Sequence, residues 1–134
     1  MIGTLVDTNV ILDIFTADSV WWPWSSLNLD LCSETGPICI NSIIYAEVST
    51  GFNTIEQLEA ALPPEGFTRL ELPYEAAFLA GKAFLDYKRR GGSRTATLPD
   101  FFIGAHAAVL GLQLLTRDEA RFRTYFPTVK LISP

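Results

Sequence analysis

The sequence predicts an α/β fold in three α/β/α layers, with a central parallel sheet of about five strands. Two observations predict it: short apolar segments alternate with longer helical ones along the 134 residues, and the short segments are apolar on both faces. Strands of that kind belong to parallel sheets that helices cover on both sides. No repeat or linker interrupts the pattern, so we expect a single domain over residues 1–134, a length that suits one hydrophobic core.

The elements predicted before residue 41 are two strands and two helices. Ile2–Val6 and Ile38–Ile40 are short apolar runs typical of buried strands. Helices are predicted from Thr8 onward and at Ser19–Thr35, and Gly36-Pro37 ends the second. The inner face of the first helix is expected to carry Ile11, Leu12 and Phe15, and the apolar residues of the second helix are Trp21, Trp22, Trp24, Leu27 and Leu31.

The remaining elements continue the alternation to the end of the chain. Asn41 and Ser42 are both favoured N-cap types, Pro63-Pro64 ends a short helix, and Pro73 begins a long one. The predicted helices are 41 or 42 to about 50, 54–62, 73–90, 99–110 and 118–125, and the predicted strands are 67–72, 112–115 and 129–132.

Composition excludes several classes of protein. Hydrophobic residues make up 49% of the chain and charged residues 19%, as in a compact globular protein. No apolar run approaches the roughly 18–20 residues of a membrane span, and the first residues do not resemble a secretory signal. Cys32 and Cys39 suggest no disulfide framework. We expect a cytoplasmic protein with two ordinary thiols and no membrane contact.

Charge is distributed unevenly along the chain. Residues 1–68 carry nine acids and no Lys or Arg, whereas residues 69–134 carry all ten bases and six acids. Five of the bases fall within residues 82–94. The net charge of −5 therefore conceals a local basic patch.

Four acids, Asp7, Glu47, Asp100 and Asp118, lie in apolar or small sequence where a predicted strand ends or the following helix begins. Three of them can also be interpreted as helix caps or first-turn acids. Glu47 resists that interpretation because it shares a helical face with apolar residues. Carboxylates in such surroundings repel one another and need a counter-charge, which a divalent cation would supply.

The segments around these acids resemble, in order, the PIN domain, the metal-dependent nuclease fold of VapC-type toxins from bacterial toxin–antitoxin pairs. The resemblance runs nearly end to end, and all four acids match. The matching segments are Val6-Asp7-Thr8-Asn9, Tyr45-Ala46-Glu47, Leu98-Pro99-Asp100-Phe101-Phe102-Ile103-Gly104-Ala105-His106, Leu115-Thr116-Arg117-Asp118 and Tyr125-Phe126-Pro127.

This resemblance implies a PIN-like domain that cleaves RNA with Mg²⁺ or Mn²⁺. By the family pattern Asp7 and Asp100 are direct metal ligands, and Glu47 and Asp118 complete the cluster. The short polar residues expected around it are Thr8, Asn9 and Thr116. The chemistry agrees with the pattern, because Mg²⁺ prefers oxygen ligands and keeps several waters. His106 follows Asp100 on another side of the helix and is expected to be a hydrogen-bonded core residue.

A basic stretch precedes the helix that carries Asp100. It is interpreted either as a solvated helix end or as a phosphate contact for RNA. Its residues are Lys88, Arg89, Arg90 and Arg94, and the further candidates are Arg117, Arg121 and Arg123.

The three tryptophans Trp21, Trp22 and Trp24 are too closely spaced for all to face one core. At least one is expected to be exposed or at an interface, and the family resemblance suggests an antitoxin-binding surface there. A homodimer is likewise an expectation from the family.

Other functions remain open at this point. A phosphatase with an Asp nucleophile usually has a second Asp two residues later, where this chain has Asn9. A receiver domain would need paired acids after the first strand and a lysine after a late strand. A catalytically silent module that binds metal or RNA is also open, since a protein can retain a metal cluster without turnover.

Overall fold

The computed structural model describes residues 2–92 and 97–134, and it contains every predicted strand and helix in the predicted order. The strands are β1 (Thr4–Val6), β2 (Ile38–Ile40), β3 (Thr68–Arg69), β4 (Gln113–Leu115) and β5 (Leu131–Ile132). The helices are α1 (Thr8–Phe15), α2 (Trp22–Thr35), α3 (Ser42–Ser49), α4 (Ile55–Ala61), α5 (Tyr74–Arg89), α6 (Leu98–Leu110) and α7 (Glu119–Tyr125).

All five strands are parallel and lie in the order β3-β2-β1-β4-β5. Successive strands move outward from β1 to β3, and the chain then crosses back to β4 and continues to β5. Because crossover connections are right-handed, this reversal places α1–α4 on one face and α5–α7 on the other. The predicted three-layer fold is confirmed. In open sheets of this kind the crevice that binds ligands lies beyond the carboxyl ends of the strands at the reversal, here β1 and β4.

The hydrophobic core is centred on the three middle strands, whose residues are buried throughout. On the second face, the ring of Phe101 contacts Tyr87 at 5.4 Å and Tyr125 at 5.5 Å between centroids. Gly104 lies where α6 meets α7, and a Cβ atom there would collide with the ring of Phe126. Small and aromatic residues together therefore let α5, α6 and α7 pack closely at the start of α6.

Some predicted boundaries and faces are wrong. The first, third and last strands are shorter than predicted, because the ladder extends only as far as a neighbouring strand accompanies it. β3 is an exposed edge strand rather than an apolar one.

The inner face of α1 differs from the prediction at Phe15, and the large apolar residues of α2 are not its buried ones. Phe15, Leu27 and Leu31 are exposed, whereas Ser25 and Cys32 are the buried residues of α2. A small polar residue is favoured at position 25 because its hydroxyl donates to the buried carboxylate of Asp13.

Both cysteines are buried free thiols, as predicted. Among the helices of residues 2–92 and 97–134, none is long and apolar enough to cross a bilayer.

Candidate active site

Asp7 lies at the centre of the crevice, directly after β1. Its backbone N–H donates to the carbonyl of Leu115 at 2.9 Å, which ties it to the end of β4. One carboxylate oxygen, Oδ1, caps α1 by accepting from the N–H of Thr8 at 2.8 Å, and Oδ2 accepts from the hydroxyl of Thr116 at 2.8 Å. The side chain is almost fully buried. The end of one strand and the start of one helix thus hold this acid in a fixed orientation.

Glu47 reaches the same site from α3, which packs against α1. Its Oε1 accepts a hydrogen bond of 2.7 Å from the hydroxyl of Thr8, the residue that follows Asp7. Residues 1–68 contain no Lys or Arg that could pair with Glu47, and its partner is a neutral hydroxyl instead.

The pKa of Asp7 reflects both its burial and the acids near it. It is raised from 3.8 to about 6, chiefly by burial; the negative charges of Asp100 and Glu47 contribute to the rise, while hydrogen bonds from Thr116 and Thr8 act in the opposite direction. Two other carboxylates therefore lie close enough to repel the charge of Asp7.

Asp100 and Asp118 share a counter-ion on the other side of the crevice. The Nη1 atom of Arg121, on α7, lies 3.1 Å from Oδ2 of each acid. Oδ2 of Asp100 also accepts from the backbone N–H and hydroxyl of Thr97, which completes a capping box at the start of α6. The N–H of Asp118 donates to the hydroxyl of Thr116 at 3.0 Å. One threonine hydroxyl thus connects Asp7 with the backbone of Asp118.

Three of the four acids lie at helix N-termini, as the capping interpretation predicts. Asp7, Asp100 and Asp118 do occupy the N-terminal positions of α1, α6 and α7. Helix N-termini favour carboxylates, and in a parallel sheet they gather at the carboxyl ends of the strands. A capping role and membership of a cluster are therefore compatible.

The donor set suits a hard divalent cation, because it consists of carboxylate and hydroxyl oxygens. In the conformation of residues 2–92 and 97–134, however, no three acidic, histidine or cysteine side chains are arranged to hold one ion. The positive charge of Arg121 stands between two of the four acids instead. The oxygen ligands of the four acids suit a divalent cation in their chemistry. The spacing of Asp100 and Asp118 in this conformation suits the guanidinium of Arg121.

Arg117 and Asp13 form an ion pair next to the site, which the sequence did not indicate. Arg117 donates from Nε and Nη2 to the two carboxylate oxygens of Asp13, at 2.8 and 3.0 Å, and the hydroxyl of Ser25 donates to the same acid at 2.7 Å. The N–H of Arg117 also approaches Oδ1 of Asn9 at 3.5 Å. A signal was present: Asp13 lies three positions after Val10 and so shares its buried face.

Three of the predicted RNA-contacting bases lie at the end of α5, close to the start of α6. Lys88, Arg89 and Arg90 are exposed there, next to Tyr87, whose ring contacts that of Phe101. Arg90 is paired with Asp86 at 3.1 Å. Arg94 lies outside the described residues. The structure therefore brings this basic surface near Asp100, whereas Arg117 belongs to the buried pair with Asp13.

The three tryptophans differ in their surroundings. Trp21 and Trp24 are half-buried and meet edge to face at 6.1 Å, and the guanidinium of Arg117 lies 5.0 Å from the ring centre of Trp21. Trp22 is 46% exposed, so the prediction that at least one would be exposed is confirmed.

His106 is a fully buried core residue, as predicted. Its Nδ1 accepts from the side-chain amide of Asn41 at 2.9 Å, because the amide oxygen of Asn41 is engaged by the N–H of Ile44. Burial lowers its pKa, which favours the neutral ring. It does not contact the four acids.

Comparison with known proteins gives one family and several similar structures. The family model described as "PIN domain" matches residues 4–126, a range that contains all four acids. No curated protein matches the sequence.

Three of the similar structures extend over nearly the whole chain. A toxin–antitoxin complex from Klebsiella pneumoniae has a TM-score of 0.68 and 25% identity, covering 94% of each chain. VapBC2 from Rickettsia felis, bound to a DNA fragment from its promoter, has a TM-score of 0.75 and 21% identity, covering 98% of each chain. VapBC-1 from nontypeable Haemophilus influenzae has a TM-score of 0.74 and 19% identity, covering 98% of this chain and 97% of the other. The last two, at lower identity, show a shared fold.

Proposed function

The chain belongs to the PIN domain family, and from this membership we propose that it is a metal-dependent endoribonuclease, the toxin of a VapBC-type toxin–antitoxin pair. The observation that carries the proposal is the gathering of acids at the carboxyl ends of β1 and β4, where Thr8 and Thr116 join Asp7 to its neighbours Glu47 and Asp118. The similarity to a toxin–antitoxin complex from Klebsiella pneumoniae supports the second half of the proposal.

In this proposal the four acids hold Mg²⁺ or Mn²⁺, with Asp7 and Asp100 as direct ligands and Glu47 and Asp118 completing the set. When bound, such an ion activates water and neutralises charge on the attacked phosphate.

The polar residues around the acids orient them. Thr116 holds Oδ2 of Asp7, and Thr8 holds both Oδ1 of Asp7 and the carboxylate of Glu47. Asn9 lies against the backbone of Arg117. These contacts limit the rotation of the acids, so that less order has to be imposed when substrate binds.

RNA approaches along the basic end of α5 in this proposal. An acidic site attracts a polyanion only if a positive surface lies beside it. Lys88, Arg89, Arg90 and Arg94 provide that charge, and the first three lie at the end of the helix that packs against α6. We assign Arg117 a structural role instead, because its guanidinium is engaged by Asp13. We place the protein in the cytoplasm, where its proposed substrate is found.

Incubation with structured RNA tests the activity. We expect cleavage with Mg²⁺ or Mn²⁺, products bearing 5′-phosphates, and no cleavage with chelator. Glu47→Gln should slow cleavage by roughly a hundredfold or more, the effect typical of losing one electrostatic group at a reacting centre. Glu56→Gln is the matched control, since Glu56 is an exposed acid on α4. RNA left intact by the wild type across metals and transcripts would favour the silent binding module.

The proposed protein partner is a cognate antitoxin, and the proposed docking surface comprises Trp21, Trp22 and Trp24. Leu27 and Leu31, one turn apart on α2, add exposed apolar area beside Trp24. A homodimer is also part of the proposal, and light scattering of the purified chain tests it by giving a mass about twice 14.8 kDa.

Trp22→Glu should weaken binding of the antitoxin encoded by a neighbouring gene by about tenfold or more, because a charge replaces apolar contact area. Isothermal titration calorimetry measures the change. Ile55→Glu, an exposed apolar residue on α4, is the control and should bind normally. Equal affinities for the two variants would remove Trp22 from the interface.

A further inference from the structure

Arg121 occupies an unusual position in the acidic cluster. A single nitrogen, Nη1, lies 3.1 Å from a carboxylate oxygen of Asp100 and 3.1 Å from one of Asp118. The three side chains are only partly accessible, with 22%, 20% and 35% of their respective surfaces exposed. A positive group thus bridges two acids that come from different helices, in the place where a shared cation would bridge them.

The charge arrangement explains why the bridge forms. Like charges gather at this edge of the sheet, because Thr8 contacts both Asp7 and Glu47 and the hydroxyl of Thr116 joins Asp7 to the backbone of Asp118. The neighbouring Arg117 is committed to Asp13 and does not relieve the repulsion between them. Arg121 supplies the positive charge at Asp100 and Asp118, from the first turn of α7.

An arginine and a metal ion cannot fill this space together. A guanidinium needs about 2.7–3.2 Å between nitrogen and oxygen, whereas Mg²⁺ binds oxygen at about 2.0–2.1 Å and carries its own waters. With Nη1 between them, Asp100 and Asp118 are held at the spacing that suits nitrogen. This agrees with the finding that, within the described part of the chain, no three acidic, histidine or cysteine side chains are arranged around one ion.

We propose that Arg121 is the built-in counter-ion of this site, and that a divalent cation binds Asp100 and Asp118 by displacing it. The proposal rests on the proposed function, in which these acids bind metal. Arg121 is then a positioning residue: it keeps the two acids together in the metal-free protein, and its ion pairs with Asp100 and Asp118 oppose metal binding. Metal affinity is weaker, and the metal-free fold more stable, than the four acids alone would give.

Titration of the full-length chain with Mn²⁺, followed by calorimetry or by the paramagnetic signal of free Mn²⁺, tests the exchange. Arg121→Gln should bind Mn²⁺ about threefold to thirtyfold more tightly, the range expected when two partly exposed ion pairs no longer have to be broken. Its melting temperature without metal should fall, and its increase on adding Mn²⁺ should be larger than that of the wild type. Arg121→Lys keeps the charge without the planar fork and should give an intermediate affinity.

Arg123→Gln is the matched control, because Arg123 lies on the same helix, carries the same charge and pairs with Glu119 outside the cluster. Its Mn²⁺ affinity should remain near that of the wild type. Equal or weaker binding by Arg121→Gln, or equal tightening by Arg123→Gln, overturns the exchange and leaves the metal site intact. If Arg121→Gln does not fold, an unchanged affinity in Arg121→Lys overturns it. Absence of Mn²⁺ binding in every variant overturns both the exchange and the metal dependence of the proposed nuclease, which the RNA assay tests separately.

Discussion

Asp7→Asn should abolish RNA cleavage and at the same time make the metal-free protein more stable at neutral pH. Asp7 is the most buried of the four acids, and burial together with Asp100 and Glu47 raises its pKa from 3.8 to about 6. Above that pH the folded protein must keep a charge that its surroundings disfavour. An amide has nearly the same shape and no charge, so it relieves the repulsion while removing the proposed ligand.

The sign of the pH dependence follows from the direction of the shift. Between about pH 4 and pH 6 the folded protein binds a proton at Asp7 that the unfolded chain has already released. The free energy of unfolding of the wild type should therefore fall as pH rises through this window. The shift corresponds to about 3 kcal/mol at most, and we expect Asp7→Asn to gain roughly 1–2 kcal/mol at pH 7 because its hydrogen bonds to Thr8 and Thr116 are weaker.

Urea unfolding in chelator from pH 4.5 to 8 measures this effect. The wild-type curve should slope downward with pH, and the slope should flatten in Asp7→Asn. Asp30→Asn, an exposed acid on α2, makes the same change in charge and serves as the control. An Asp7→Asn protein that is less stable than the wild type at pH 7 would mean that the hydrogen bonds of Asp7 outweigh the repulsion.

Arg117→Gln should destabilise the fold by about 3–5 kcal/mol, the cost of leaving a buried charge without its partner. Only 4% of the Asp13 side chain is exposed, and without Arg117 the remaining hydrogen bond to its carboxylate comes from Ser25. Over a domain of this size the loss corresponds to a fall in melting temperature of roughly 10–20 °C. The double variant with Asp13→Asn should recover most of it, because no unpaired charge then remains.

Thermal unfolding of the wild type, Arg117→Gln and Arg89→Gln separates the structural role of Arg117 from a role in RNA binding. Arg89→Gln makes the same change in charge at the exposed end of α5, so its melting temperature should stay near that of the wild type while its affinity for RNA falls. If instead Arg117→Gln melts like Arg89→Gln and binds RNA as weakly, Arg117 contacts RNA, as the sequence alone suggested.

Much of the fold was predictable because its signals are local. The alternation of apolar runs with helical spacing located all five strands and seven helices, and breakers such as Gly36-Pro37 separated them. Faces were harder to predict. Phe15 was expected inside but is exposed, and packing buries the side of α2 that carries Ser25 and Cys32 rather than the side with Leu27 and Leu31.

The candidate site divides in the same way. The sequence by itself showed that Asp7 and Asp118 follow strands, and that Glu47 and Asp100 lie in helices that could reach the same edge of the sheet. The resemblance of the surrounding segments to the PIN domain then grouped the four acids. Only the tertiary structure decided which base pairs with which acid in and around the site. Arg117 pairs with Asp13 across 104 residues of sequence, and Arg121 bridges Asp100 and Asp118. The physical reason is that a carboxylate is identified by its own local context, whereas the choice of counter-ion depends on which long, flexible cation the packed helices bring within about 3 Å.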